Sequence, residues 1–288
     1  MTGYLIYNEY ESKRNEWFIH ELIEEFQKHN VKLILFIEER LSFTIHGKPC
    51  FFYDNRTLEN PSFVINRTNN YIISLQFETL KIRVFNNSYV SKIANNKYLA
   101  YKEISSLNIK TLDTKFVKKN DILNKVYNFG SIDYSVVIKP VDEKGGKDVY
   151  LCNNKEELLS YAAKINKEEF IIQKASSDLG KDLRVYILGN KIYKAMLRIN
   201  KGGFISNFCL GNDAIVYELN NNEIEIVNKI LTISNFDYVG IDFLFDGGEI
   251  VFNEIEDSVG SRMLYSKTNL NVARDYTKYV INKFYTSK

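Results

Sequence analysis

Proline is scarce in this chain, with three in 288 residues against the usual ~5%. With its abundant Asn, Lys, Ile and Tyr, this is a compositional habit rather than a fold signal, and no stretch has the make-up of a flexible linker. Cysteine is equally rare: Cys50, Cys152 and Cys209 are odd in number and widely spaced. They form no zinc pattern and read as free thiols of a reducing cytoplasm. Neither sign of charge is in real excess, since 38 Lys+Arg stand against 36 Asp+Glu for a net +2. That balance argues against a general nucleic-acid binder, which needs a basic stripe to release counterions. No apolar run reaches the ~18–20 residues of a membrane span, and the opening MTGYLIYNEYESKR lacks the order of a signal peptide. The expectation is a cytoplasmic protein with neither a nucleic-acid nor a membrane partner. At 45% hydrophobic and 26% charged the chain can bury a large core, and its length predicts two or three packed subdomains.

The first third alternates strand and helix. Tyr4–Tyr7 is a short apolar strand, and Glu16–His29 predicts an amphipathic helix with Trp17, His20, Ile23 and Phe26 on its inner face. KLILFI (residues 32–37) is a buried strand parallel to the first. HGKP turns between two extended runs, SFVIN is a further strand, and a helix near residues 71–80 leads to a short run at 83–86. Beyond residue 90 the pattern becomes α+β. A helix is predicted over 92–107, a strand YSVVIK closing on Pro140, a polar glycine hairpin DEKGGKD, a helix over 155–165 and a strand near 170–173. Two long antiparallel hairpins follow, 183–188 with 192–198 and 239–245 with 250–255, separated by a helix near 223–234; a last helix covers 271–284. The fold class is an α/β N-terminal domain followed by an α+β region built on antiparallel sheets, divided as 1–90, 91–168 and 169–288.

Four features carry potential chemistry. Lys139 ends an apolar strand, where an ammonium is awkward unless an anion waits there; the bland alternative is a lysine reaching out to solvent. Gly145 and Gly146 sit in a polar hairpin whose backbone could cradle phosphate, although most such hairpins are only turns. Arg184 and Arg198 lie on the two arms of the first long hairpin, where surface charge is the ordinary role. Asp242 lies within the apolar VGIDFLF, and Glu254 and Glu256 lie on its return arm, two apart and so on one face. Three carboxylates on one sheet surface repel unless a cation offsets them, and Mg²⁺ shared with phosphates is the usual occupant. Asp242 and Glu254 can face each other only across an odd-length loop or a β-bulge, because a plain two-residue turn at Gly247–Gly248 puts them on opposite faces.

These pieces, in this order, resemble an ATP-grasp enzyme of the RimK-type glutamate ligase and glutathione synthetase kind, over nearly the whole chain. The resemblance runs through FVINR (63–67), Glu78 and VFN (84–86); Asn96–Lys97 and IKTLDT (109–114); VVIKP (136–140) with Gly146; and IIQKA (171–175). It continues through GKDLRVYILGNKIYKAMLRI (180–199), SN (206–207), GIDFLF (240–245) and NEIEDSVG (253–260). The departures are Asp148 for a loop glycine, Lys174 where an acidic residue is common, Glu256 where Asn is expected, and VGSRML for a proline–glycine turn.

The resemblance implies a pre-ATP-grasp domain (1–90), a small lid subdomain (91–168) and a catalytic subdomain (169–288). The implied activity is ATP-dependent joining of a carboxylate to an amine, through an acyl phosphate, with release of ADP and phosphate. Lys97 and Lys139 would bind the phosphates, Gly145 and Gly146 would close over them, and Lys174 and Ala175 would meet adenine through their backbones. Asp182 falls where the family contacts the nucleotide, and Asn207 would orient phosphates or a metal-bound water. Asp242, Glu254 and Glu256 would hold Mg²⁺, with Mn²⁺ as a substitute. Arg198 would stabilise the transferred phosphoryl group, while Arg184 and Arg262 would grip the carboxylate substrate. Substrates would be small molecules or peptides, and self-association is common in the family. A catalytically silent nucleotide-binding relative is the alternative.

Overall fold

The structure is a computed structural model and describes residues 1–124, 133–143, 145–200 and 213–286. Strand β1 (Thr2–Tyr7) is followed by α1 (Glu9–Arg14), α2 (Glu16–Lys28) and β2 (Lys32–Ile37). An antiparallel trio β3 (Leu41–His46), β4 (Lys48–Tyr53) and β5 (Arg56–Thr57) comes next, then β6 (Phe63–Asn66), α3 (Tyr71–Thr79) and β7 (Arg83–Phe85). The order β2-β1-β6-β7 makes a wholly parallel sheet. Residues 4–7 of β1 are buried on both faces, as a parallel strand covered on either side requires. The inner face of α2 differs from the sequence expectation. Phe18, Ile19, Leu22 and Phe26 are buried while Trp17 and His20 are exposed, and Trp17 instead packs edge-on against Tyr265 at 4.6 Å.

The expected single helix over 92–107 is two, α4 (Ser88–Ala94) and α5 (Lys97–Ser105). Asn95 closes the first, and Asn96 caps the second by accepting from Leu99 N. Asparagine favours such caps over helix interiors, and the break places Lys97 at the first turn of α5.

Strand β8 (Thr114–Lys118), helix α6 (Lys119–Leu123), β9 (Val136–Pro140), β10 (Tyr150–Cys152), α7 (Lys155–Lys164) and β11 (Glu169–Lys174) complete a second unit. Its antiparallel sheet has the order β10-β9-β11-β8. The third sheet, β14-β13-β12-β15-β16, is built from β12 (Lys181–Leu188), β13 (Ile192–Ile199), β14 (Asp213–Tyr217), β15 (Tyr238–Asp246) and β16 (Glu249–Glu256). Helices α8 (Asn221–Ile230), α9 (Arg262–Lys267) and α10 (Val272–Thr286) cover it. Strand β11 lies just past the expected division at 168 yet is hydrogen-bonded between β8 and β9. Helices α4 and α5 share a core with the five-stranded sheet.

Alternation along β12 separates core from site. Leu183, Val185 and Ile187 point into the core shared with α4, α5 and α8. Asp182, Arg184 and Tyr186 take the other face; there Tyr186 joins the core formed with β1, α2 and α10. On β15 and β16 the turn is the plain two-residue one, with Asp246 paired to Glu249. The register slips between Asp242 and Phe243, so Phe243 pairs with Phe252 while Asp242 faces Glu254. Asn253 is the extra residue of this bulge.

Candidate active site

A cleft opens between the four-stranded and five-stranded sheets. One wall presents Lys139 from β9 and Gln173 and Lys174 from β11; the other presents Asp182, Arg184, Arg198, Asp242 and Leu244. The bulge lets Asn253, Glu254 and Glu256 all line this one cavity, which a regular strand, sending alternate side chains to opposite faces, would forbid. Lys97 and the Gly145–Gly146 hairpin close the rim.

Lys139 is buried. Its Nζ donates to Gln173 Oε1 at 3.1 Å and Asn253 Oδ1 at 2.9 Å, and among the described residues no carboxylate pairs with it. Gln173 is aimed by two further bonds, its Nε2 donating to Tyr101 Oη at 2.6 Å and Thr114 Oγ1 at 2.8 Å. Burial first, and then the charge of Lys97, lower the Lys139 pKa to about 8. Lys97 Nζ donates to the Glu143 carbonyl and lies 3.6 Å from Glu254 Oε2. Gly145 and Gly146 have φ of 70° and 76°, a left-handed backbone that glycine adopts without strain. Asp148, at φ 53°, keeps that conformation without a glycine, as aspartate can.

Across the cleft runs an alternating ion chain, Asp182–Arg198–Asp242–Arg184–Glu256. Arg198 binds both oxygens of Asp182 and donates from Nη2 to Asp242 Oδ2 at 2.7 Å. Arg184 grips Asp242 from Nε at 2.8 Å and Nη2 at 2.7 Å, and Glu256 from Nη1 at 2.8 Å. The pairing follows from register, since Asp182 faces Arg198 and Arg184 faces Asp242 across neighbouring strands. Gly240 supplies the space, because a Cβ there would sit 3.4 Å from Arg184 Nε and 2.9 Å from Val259 Cγ2. Burial alone would raise the Asp242 carboxyl, but two arginines outweigh it and hold it low. Asp182 moves the other way, because burial raises it and Arg198 offsets this only in part.

Residues 92–280 match the RimK-like ATP-grasp domain family. The chain belongs to the RimK-like ATP-grasp family. As an enzyme of that family it is an ATP-binding carbon–nitrogen ligase. Among curated relatives, uncharacterized protein MG011 of Mycoplasma genitalium is 28% identical over 282 residues, spanning 96% of this chain and 91% of that one. N-acetylaspartylglutamate synthase A of Homo sapiens is 26% identical over 201 residues, spanning 67% of this chain and 51% of that one. Probable alpha-L-glutamate ligase 2 of Hahella chejuensis is 24% identical over 211 residues, spanning 72% and 69%. Among solved structures, the VanG D-Ala:D-Ser ligase of Enterococcus faecalis has a TM-score of 0.76 at 16% identity, covering 98% of this chain and 99% of that one. The ATP-grasp ligase PsnB complexed with minimal precursor, Mg and ADP has a TM-score of 0.70 at 14% identity, covering 98% of each. These structural likenesses establish the ATP-grasp fold.

In this ATP-grasp cleft lie Lys97, Lys139, Gly145, Gly146, Lys174, Asp182, Arg184, Arg198, Asp242, Glu254 and Glu256. Ala175 does not line it, and its N–H donates to Ser135 O at 2.9 Å. Arg262 lies on an adjoining cavity and donates from Nη2 to the Arg14 carbonyl at 2.9 Å. Asn207 lies outside the described residues. The three expected metal carboxylates share the cavity but form no cation cage: among the described residues no group of three or more His, Cys, Asp or Glu is placed to hold a metal. Both oxygens of Asp242 accept from arginine, Oδ1 and Oδ2 from Arg184 and Oδ2 also from Arg198. Gln173 and Asn253, which position Lys139, escaped sequence reasoning. The only hint of Gln173 was a polar residue in the apolar strand FIIQK, and Asn253 reaches the cleft only through the bulge. No described helix is long and apolar enough to cross a membrane.

Proposed function

We propose that the enzyme activates a carboxylic acid with ATP as an acyl phosphate and passes the acyl group to an amine, releasing ADP and phosphate. The observation that carries this reading is Lys139, a buried ammonium held by two neutral oxygens and facing a cleft edged by a second lysine and a glycine hairpin. Such a charge lacks its anion, and the nucleotide phosphates supply it. Lys97 and Lys139 bind the phosphates, the backbone around Gly145 and Gly146 covers them, and the base lies against Leu112, Val137 and Leu244 beside the Lys174 backbone.

A carboxylate oxygen attacks the γ-phosphorus as the bond to ADP breaks. The amine nitrogen then attacks the acyl carbon, phosphate leaves, and the ammonium proton passes to solvent. Two anions must meet in the first step, so fixed cations lower its barrier. Arg198 faces the transferred phosphoryl group, while Arg184 and, from the adjoining cavity, Arg262 attract the carboxylate. Bound Mg²⁺, or Mn²⁺ in its place, supplies further neutralisation of phosphate charge. Glu254 and Glu256 fit it, because Mg²⁺ is commonly held by one or two carboxylates plus substrate phosphates. Asp242 in its present pairing does not fit.

The test is a screen of acid and amine pairs for ADP release, with L-glutamate first among the amines because two relatives carry glutamate in their names. Release that requires both an acid and an amine supports the reading. Release with neither, or with the acid alone to a full turnover, overturns it.

A further inference from the structure

The polarity of one buried amide decides what Lys139 can do. The Gln173 side chain is 2% exposed, and the two ends of its amide are nearly identical in shape. Its neighbours therefore determine which end faces the lysine. On β11 it faces Thr114 of β8 directly and Lys139 of β9 diagonally, because Ile171 is the residue paired with Lys139. All three side chains thus share one side of the sheet. Tyr101 reaches the same amide from α5, one turn beyond Lys97 and on the same helix face. The amide nitrogen donates to Tyr101 Oη at 2.6 Å and Thr114 Oγ1 at 2.8 Å. Each hydroxyl can accept there because its own proton is directed at a main-chain carbonyl, Thr114 at Leu112 at 2.7 Å and Tyr101 at Phe252 at 3.5 Å. Burial raises the Tyr101 pKa, so that proton is retained. Two carbonyls orient two hydroxyls, the hydroxyls orient the amide, and the amide oxygen is left for Lys139 Nζ at 3.1 Å. Reversed, the amide would press its N–H groups against an ammonium that can only donate. Both hydroxyls would have to give up their carbonyls, and a buried charge would lose one of the two oxygens that hold it.

We propose that Tyr101 and Thr114 are positioning residues of the nucleotide site: by fixing the Gln173 amide with its oxygen toward Lys139 they hold the ammonium where the phosphates meet it, although neither lines the cleft. The inference rests on the reading of Lys139 as a phosphate-binding residue. It also makes α5 a carrier of both lysines' placement, Lys97 directly and Lys139 through Tyr101.

The experiment is calorimetry on the full chain at fixed pH and Mg²⁺, with adenosine and a non-hydrolysable ATP analogue as ligands. The readout is the ratio of their affinities, which isolates what the phosphates add. Tyr101→Phe and Thr114→Val should each lower that ratio about three- to tenfold, and together about ten- to a hundredfold. Thr114→Ser keeps the hydroxyl and should restore the wild-type ratio. A merely structural role, including a shift of Leu112 under the base, would weaken both ligands alike and preserve the ratio. The path through Gln173 is tested by a double-mutant cycle: in a Gln173→Met background, Tyr101→Phe should lower the ratio no further. An unchanged ratio in Tyr101→Phe/Thr114→Val, a Thr114→Ser variant as impaired as Thr114→Val, or additive losses in the cycle would overturn the inference. If Tyr101→Phe/Thr114→Val does not fold, the single variants and the cycle decide. A wild-type ratio near one removes the phosphates from Lys139 and the inference with them. ADP release keeps the ligase separate: a ratio that falls as expected, in a protein that turns over no acid and amine pair, removes the ligase and leaves the positioning residues.

Discussion

Raising the pH from 7 to 9 should weaken nucleotide binding about tenfold through Lys139 alone. This lysine is buried against Gln173 and Asn253, and its pKa is lowered to about 8, whereas a lysine in the unfolded chain keeps ~10.4. If only the ammonium form accepts phosphate, the apparent Kd scales as one plus the ratio of neutral to charged lysine. For a pKa of about 8 that factor is about 1.1 at pH 7 and about 11 at pH 9, a loss of ~1.4 kcal/mol. Folding stability responds with the opposite sign. Between pH ~8 and ~10.4 the unfolded chain holds a proton that the folded protein has released, so this group makes stability rise with pH across that window. Weaker binding at pH 9 is therefore not Lys139 unfolding the protein. The assay is calorimetric titration with a non-hydrolysable ATP analogue at pH 7, 8 and 9, at constant ionic strength and Mg²⁺. Wild type should lose affinity about tenfold, while Lys139→Met should bind weakly at pH 7 and show no further decline. A flat wild-type profile, or the same slope in Lys139→Met, would refute the reasoning.

Glu254→Gln should abolish ADP release, whereas Glu256→Asn should retain turnover but need more Mg²⁺. An unchanged Mg²⁺ titration in Glu256→Asn would show that Glu256 only pairs with Arg184. Asp242→Asn leaves two buried arginines undercompensated and should cost ~3–5 kcal/mol of stability, read from denaturant unfolding; a loss below ~1 kcal/mol would mean that the ion chain is dispensable. Gly3→Ala would put a Cβ 2.3 Å from Phe63 Cζ in the N-terminal core and should destabilise by ~1–3 kcal/mol, with nucleotide affinity in the folded fraction unchanged.

The hairpins were legible because strand alternation and turn residues are local. Asp246–Glu249 and Gly189–Asn190 mark their turns, and LRVYIL and VGIDFLF declare their faces in the sequence itself. Parity arithmetic on Asp242 and Glu254 required an odd loop or a bulge, and the bulge at Asn253 meets it. The third arm, β14, and the short β8 and α9 carry no such signals. The α2 face was misplaced because Trp17 and His20 fit helical spacing as well as Phe18 and Leu22 do, and only the packing of Tyr265 and the parallel sheet distinguishes them. The VGSRML turn keeps its place without proline through tertiary bonds, with Arg67 on the Val259 carbonyl and Tyr186 on that of Gly260. Ion pairing was the hardest part to foresee. Asp242 reads as a metal ligand along the chain, and only the pairing of β12 with β13 and β15 brings two arginines onto it.

The central claim is that a carboxylate oxygen attacks the γ-phosphate of ATP before the amine reacts. The most direct measurement is isotope transfer: the carboxylic acid from the productive pair is labelled with ¹⁸O in both carboxyl oxygens, turned over with ATP and the amine, and the released phosphate is analysed by mass spectrometry. The acyl-phosphate route predicts one ¹⁸O in each phosphate and one retained in the amide. Unlabelled phosphate alongside amide formation would contradict it.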